Sequence, residues 1–263
     1  MGVRYTGPGL SGVDSVELKL LLIGLFLPLF PLSIGVNALL ARMPNAWARA
    51  AMLLLWPQIG VFLVAEYIGD LPDWIKYWGL ATAALYAFRM LAMREVNLWI
   101  GFLATSSWAL LWTPAFKGLS LAELEVLALG FGLPLAIMAV MAGEIAKRFG
   151  AAYLGLYGGL AVAVPRLTGV LVTSLFAAIA TPVFPAFFAV LHTLVISQPL
   201  PAILLVSIWG AWSWGAARLL QGLIVGPAEL PYPQDLSVAM TWLMSLMLAG
   251  LALVGLLYTG RLT

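Results

Sequence analysis

One histidine, no cysteine and a few acids and bases set among long apolar runs are all the reactive chemistry this sequence carries. An ionisable side chain held inside hydrocarbon is costly and therefore functional by default, so each such residue is weighed as a possible ion relay. His192 has no charged neighbour in sequence, and an imidazole relays protons near neutral pH, although a lone apolar-helix histidine more often packs through a hydrogen bond. Glu66 precedes Asp70 and Asp73 near the end of its apolar run and reads as an interfacial carboxylate. Glu144 stands one turn before Lys147 and Arg148, the spacing of a helix-end ion pair. Lys19 lies beside Glu17 near the start of a helix, where snorkelling is the simpler role, as it is for Arg89, Arg166 and Arg218. His192, Glu66, Glu144 and Lys19 remain the ionisable candidates for an ion pathway. No His/Cys cluster exists to hold a metal, and no glycine run has phosphate-loop or dinucleotide spacing. The sequence therefore predicts no catalytic residue, no metal and no cofactor. Gly158, Gly159, Gly210 and Gly215 read as close-packing sites between helices.

The elements that carry these residues follow from composition. Of 263 residues, 63% are hydrophobic and 9% charged, with a mean hydropathy of +1.04. A soluble domain of this size needs far more polar surface. Crossing a bilayer takes roughly 20 apolar residues in a helix, and such runs fall at 16–41, 47–68, 74–93, 97–116, 121–146, 157–197, 200–225 and 236–259. The predicted fold is all-α, a polytopic membrane helix bundle of about eight spans. It forms one transmembrane domain over 16–260 after a short tail, 1–15, that lacks the basic region and cleavage site of a secretory signal. Eleven tryptophans suit aromatic belts at the two interfaces. A formal charge of +2 argues against nucleic acid as a partner and leaves the lipid bilayer.

Lysine and arginine divide between the two sides. Arg42, Arg49, Arg89, Arg94, Lys147 and Arg148 share one side, against Arg4, Lys19, Lys76 and Lys117 on the other. The positive-inside rule puts the first group in the cytoplasm and the N-terminus outside, as in a bacterial or archaeal inner (plasma) membrane.

Two spans echo each other. Pro28-Leu29-Phe30-Pro31 in the first and Pro182-Val183-Phe184-Pro185 in the sixth are both Pro-x-Phe-Pro within a long apolar run. Each proline removes a backbone donor and clashes with the preceding turn, so the pair breaks a helix. Interrupted helices at matching places in two parts of a chain point to a repeat-built transporter fold.

The run Leu27-Pro28-Leu29-Phe30-Pro31-Leu32 resembles the broken helix of antiporter-like subunits, found in respiratory complex I, membrane-bound hydrogenases and multisubunit sodium/proton antiporters. Further likenesses follow in order: Leu103-Ala104-Thr105-Ser106-Ser107, Gly158-Gly159-Leu160 with Pro165, Thr181-Pro182 to Phe187, and Arg218, Gln221 and Gly226-Pro227. The resemblance implies the C-terminal half of such a subunit, with the half that bears the family's early glutamate absent or supplied by a separate chain. It also implies ionisable groups where this sequence has none. The family's broken-helix lysine and following histidine fall at Phe26 and Ser33, and a second lysine falls at Gln58. The basic residue before the Leu-Ala-x-Ser-Ser segment falls near Ile100, and the second broken helix's glutamate at Val190. Gln58 joins His192 as a pathway candidate, since the two could hold a residual water chain.

The resemblance thus implies an accessory or structural membrane subunit of a multisubunit ion-translocating complex. Its partners are other membrane subunits, it serves as a scaffold, and its own proton pathway is degenerate. Any redox or carbonate chemistry would belong to other subunits. The alternative is an active proton- or sodium-translocating subunit that works with charges from a partner chain.

Overall fold

The computed structural model describes residues 10–68, 70–156, 158–195, 197–227 and 233–259, with side chains from 18 to 257. Residues 1–9 of the expected tail lie outside the described residues. The helices are α1 (Leu10–Phe26), α2 (Leu32–Arg42), α3 (Ala46–Val64), α4 (Asp73–Met90), α5 (Val96–Leu110), α6 (Trp112–Phe116), α7 (Leu121–Phe149), α8 (Leu160–Ala163), α9 (Pro165–Ala178), α10 (Pro185–Val195), α11 (Pro199–Leu223) and α12 (Val238–Thr259). Among the described residues there is no strand, and the one extended pairing is an isolated bridge between Glu95 and Tyr153. The fold is an all-α membrane bundle. Ala46–Tyr67, Leu121–Phe149, Pro199–Leu223 and Val238–Leu257 are each long and apolar enough to cross a bilayer alone. Of the other expected spans, the third is the single helix α4 and three are composite: α1 and α2 share the first, α5 and α6 the fourth, α9 and α10 the sixth.

Local chemistry sets the ends of the central helix. Ser120 and Glu123 form a reciprocal capping box at the start of α7, and Gly150 ends it in the left-handed conformation, φ 84°. Lys147 and Arg148 occupy the last turn, where the helix dipole favours cations. Helix α7 packs on α3, α5 and α9, while α5 packs on α4 and α2. Every residue from Trp99 to Ala115 is buried, so α5 and α6 are interior elements. This corrects the expectation for the tryptophans. Trp99, Trp108, Trp112 and Trp212 are fully buried, whereas Trp47, Trp74, Trp78, Trp214 and Trp242 are the exposed ones suited to a belt.

One end of the bundle collects most of the cations. There Val96 N donates to Ala152 O, Leu154 N to Arg94 O, and Gly155 N to Gly222 O. Arg218 donates to Leu91 O, and Arg148 reaches Gln234 O at 2.7 Å. Arg49 is buried at the same end and donates to Leu40 O, Met43 O and Asn97 Oδ1, which closes the α2–α3 turn onto α5. Asp235 ties the segment before α12 to the start of α9. Its carboxylate accepts from Arg166 N at 2.8 Å, Leu167 N at 3.1 Å and Leu236 N at 2.7 Å. Partial burial pushes this carboxyl up, but those backbone donors and the Arg166 guanidinium outweigh it and hold it below its ordinary value of 3.8.

Glycine lets helices touch the breaks in the chain. A Cβ on Gly60 of α3 would lie 2.7 Å from Leu27 Cγ, and one on Gly255 of α12 would lie 2.0 Å from Val183 O. Gly158 and Gly215 are close-packed too, against Val225 O and Met90 Cε, but Gly210 faces open space.

Two outcomes follow from this packing. Gly255→Ala lowers stability by about 1–3 kcal/mol through overpacking, whereas Gly250→Ala, which meets nothing within 4 Å, does not lower the thermal midpoint in detergent. A folded-state pKa held below the unfolded one contributes stability that is full above the unfolded value and lost as pH falls through the folded value. The Asp235 contribution is therefore intact at neutral pH and disappears below 3.8. Thermal unfolding of Asp235→Asn loses that part of the acid dependence.

Candidate functional site

The two Pro-x-Phe-Pro motifs fall in the two breaks. Helix α1 ends at Phe26 and α2 begins at Leu32, while α9 ends at Ala178 and α10 begins at Pro185. Prolines 28, 31, 182 and 185 cannot donate, so carbonyls ahead of them lose their helical partners. Inside a bilayer each unpaired carbonyl costs several kcal/mol, and water or a neighbouring side chain must satisfy it.

Here the donors are indoles. Trp56 Nε1 of α3 donates to Leu25 O at 3.0 Å. Trp112 Nε1 of α6 donates to Leu27 O at 2.9 Å, and Trp78 Nε1 of α4 to Phe30 O at 2.7 Å. Phe30 N in turn donates to Thr82 Oγ1 at 3.1 Å. At the second break, Trp209 Nε1 of α11 donates to Ile179 O at 3.0 Å, and the Thr181 hydroxyl donates to Phe176 O at 2.9 Å. An indole N–H donates but cannot accept. It satisfies a carbonyl without offering the next proton a place to go.

The positions where the resemblance implies charge surround these breaks. The Phe26 ring lies on Trp56, with centroids 4.8 Å apart. Ser33 is fully buried, its Oγ without a hydrogen-bond partner, and Ile100 is fully buried among apolar side chains. Val190 lines a void of about 10 Å³ with Leu110, Leu127, Phe131, Thr193 and Leu205. That volume is at the lower limit for one water, and the hydroxyl of Thr193, the one polar side chain of the lining, donates to Ala189 O at 2.7 Å. Gln58 is half-buried and donates to Glu125 O at 3.2 Å, which links α3 to α7.

The remaining candidates do not meet at the breaks. His192 is half-buried at the edge of α10 and makes no hydrogen bond among the described residues. Glu144 binds Lys147 at 2.7 Å and Arg148 at 2.5 Å, the ion pair its spacing predicts. Glu66 is exposed in the 3-10 turn after α3, and Lys19 is exposed on α1. Neither forms an ion pair among the described residues. The side chain of Glu17, next to Lys19, lies outside the described residues.

Sequence reasoning passed over the polar seam between α2, α4, α5 and α11. Asn37 Nδ2 bridges Ser33 O at 2.9 Å and Thr105 Oγ1 at 2.7 Å. Trp212 Nε1 donates to Ser106 Oγ at 2.9 Å, and that hydroxyl donates in turn to Ala83 O at 2.7 Å. The available signal was the buried amide and indole themselves, since each needs a partner once it is inside hydrocarbon.

Comparison with proteins of known structure places this geometry. A chain of the Mrp complex from Dietzia sp. DQ12-45-1b aligns with 95% of this chain and 57% of its own length, at a TM-score of 0.85 and 15% identity. A chain of respiratory complex I from Thermus thermophilus aligns with 89% of this chain and 52% of its own, at 0.75 and 19%. One from the membrane-bound sulfane sulfur reductase, an archaeal respiratory membrane complex, aligns with 95% and 54%, at 0.78 and 16%. This chain shares their fold. The fold expected from motif order is thus matched in three dimensions, and the chain spans a little over half of each neighbour. No protein-family model matches it, and neither does any curated protein.

Trp112→Phe leaves Leu27 O buried without a donor and lowers stability by about 1–3 kcal/mol. Trp214→Phe, on an exposed face, serves as the control and leaves the thermal midpoint in detergent unchanged.

Proposed function

We propose that this chain is a membrane subunit of a multisubunit ion-translocating assembly, in which it packs against and positions other membrane subunits rather than conducting ions itself. The fold supports membership, because the neighbours named above all belong to multisubunit membrane complexes. One observation carries the scaffold role. Leu25 O, Leu27 O and Phe30 O at the first break and Ile179 O at the second are held by indole N–H groups, where conduction would call for water and ionisable side chains.

The neutral positions support the same role. Phe26, Ser33, Ile100 and Val190 offer no titratable group, and Gln58 and His192 do not touch a common partner. Chemistry done by such an assembly, redox or otherwise, belongs to its other subunits. The cation-rich end, with Arg49, Arg94, Lys147, Arg148, Arg166 and Arg218, supports a cytoplasmic placement of that end and an external N-terminus. Residues 16–260 then act as one transmembrane domain in a bacterial or archaeal plasma membrane.

The test is ion translocation by the intact assembly reconstituted in vesicles. Gln58→Ala and His192→Ala leave the rate and the subunit composition unchanged. Loss of translocation in either variant, with assembly preserved, overturns the scaffold role in favour of a conducting subunit.

A further inference from the structure

The cation-rich end holds a cavity of about 580 Å³ between the start of α3, α5 and the end of α7. Its walls include Asn45, Trp47, Arg49, Asn97, Gly143 and Lys147. Arg49 is 8% exposed, and burying a guanidinium without a counter-charge is expensive. Its three protein acceptors are two carbonyls and an amide oxygen, so two of its five N–H donors have no acceptor among the described residues. It forms no ion pair there, and Glu95 acts on it from beyond ion-pair distance.

Charge around this cavity does not balance. Its lining carries two cations, Arg49 and Lys147, and no carboxylate; Glu144, which binds Lys147 from outside the lining, is shared with Arg148, and Glu95 reaches Arg49 only from beyond ion-pair distance. The adjoining cavity of about 450 Å³ makes the contrast, since its Arg148 and Arg166 face Glu144 and Asp235 in equal number. Position limits the source of the missing anion. The cavity lies at the first turn of α3, which is long and apolar enough to cross a bilayer, and the end of such a helix sits at headgroup depth. From its rim, Trp47, Ala51, Leu55, Ile59 and Phe62 run along one exposed face of α3 at helical spacing. A phosphate seated by Arg49 and Lys147 would have an apolar track for acyl chains directly beside it.

We propose that this cavity binds the phosphate of an anionic phospholipid, with Arg49 and Lys147 as its cationic walls and the exposed face of α3 as the acyl-chain surface. The site is independent of whether the chain conducts ions.

The experiment uses the full chain in nanodiscs of phosphatidylcholine with a minor fraction of phosphatidylglycerol. The protein is extracted into mild detergent and weighed intact with its retained lipid. The wild type keeps phosphatidylglycerol above its share of the bilayer. Arg49→Gln reduces that retention about fivefold, as expected for removing one cation at the headgroup, and Lys147→Glu, which reverses a charge, reduces it by more, while Lys117→Glu does not change it. Lys147 is 65% exposed, so its variant reads out even where Arg49→Gln fails to fold. Equal retention in Lys147→Glu and wild type, or retention in bulk proportion only, overturns the site. Inorganic phosphate is the second arm. If phosphate alone raises the thermal midpoint of the wild type as much as phosphatidylglycerol does, and fails to do so for Lys147→Glu, the ligand is free phosphate and the lipid assignment falls.

Discussion

A helix broken inside a bilayer leaves carbonyls that must find a donor, and the choice of donor shapes the rest of this molecule. Trp56, Trp78 and Trp112 reach the first break from α3, α4 and α6, and Trp209 reaches the second from α11. Each bond fixes the rotation and depth of the helix that supplies it. Each also brings a large apolar body to the place where water would otherwise stand. A single hydrogen bond of this kind is worth about 1 kcal/mol net, but an unmade one in hydrocarbon costs several times that. The breaks are kept because their satisfaction is distributed over four helices.

Indoles and hydroxyls at the breaks carry no ionisable group. The interior around Phe26, Ile100 and Val190 is largely apolar, and two of its polar side chains tie helices together. Asn37 joins α2 to α5, and the chain from Trp212 through Ser106 to Ala83 O joins α11, α5 and α4. Ionised groups are displaced to the ends, where Glu144 and Asp235 organise Lys147, Arg148 and Arg166. Gln58 does for α3 and α7 what Asn37 does for α2 and α5.

Much of this was legible in the residues. Apolar run length located the spans, and the paired Pro-x-Phe-Pro motifs located both breaks, because a missing donor acts locally. Motif order pointed to the fold that the structural neighbours share. Spacing alone identified the Glu144 pair with Lys147 and Arg148. What escaped was non-local. The tryptophan caps join residues 31 to 85 positions apart at the first break where Trp56 and Trp112 are concerned, and a tryptophan's type does not reveal whether it faces lipid or a carbonyl. Arg49 counted as one more interfacial cation, because nothing near it in sequence indicates that Leu40 O and Asn97 surround it. Gly210 resembles Gly215 in sequence context, yet Gly215 alone meets another helix.

The contact between Gly255 and Val183 O has a consequence for biogenesis. Membrane chains emerge from the ribosome N-terminus first. All three indoles that complete the first break lie within the next 85 residues of Leu27, so that part closes on itself while the remainder is still being made. The second break waits for Trp209 and then for α12, whose Gly255 lies directly against Val183 O. Until α12 inserts, that face of the second break is open to lipid or to an insertion chaperone. The order of synthesis thus puts the donors of the first break ahead of those of the second, with the α12 face of the second break last of all.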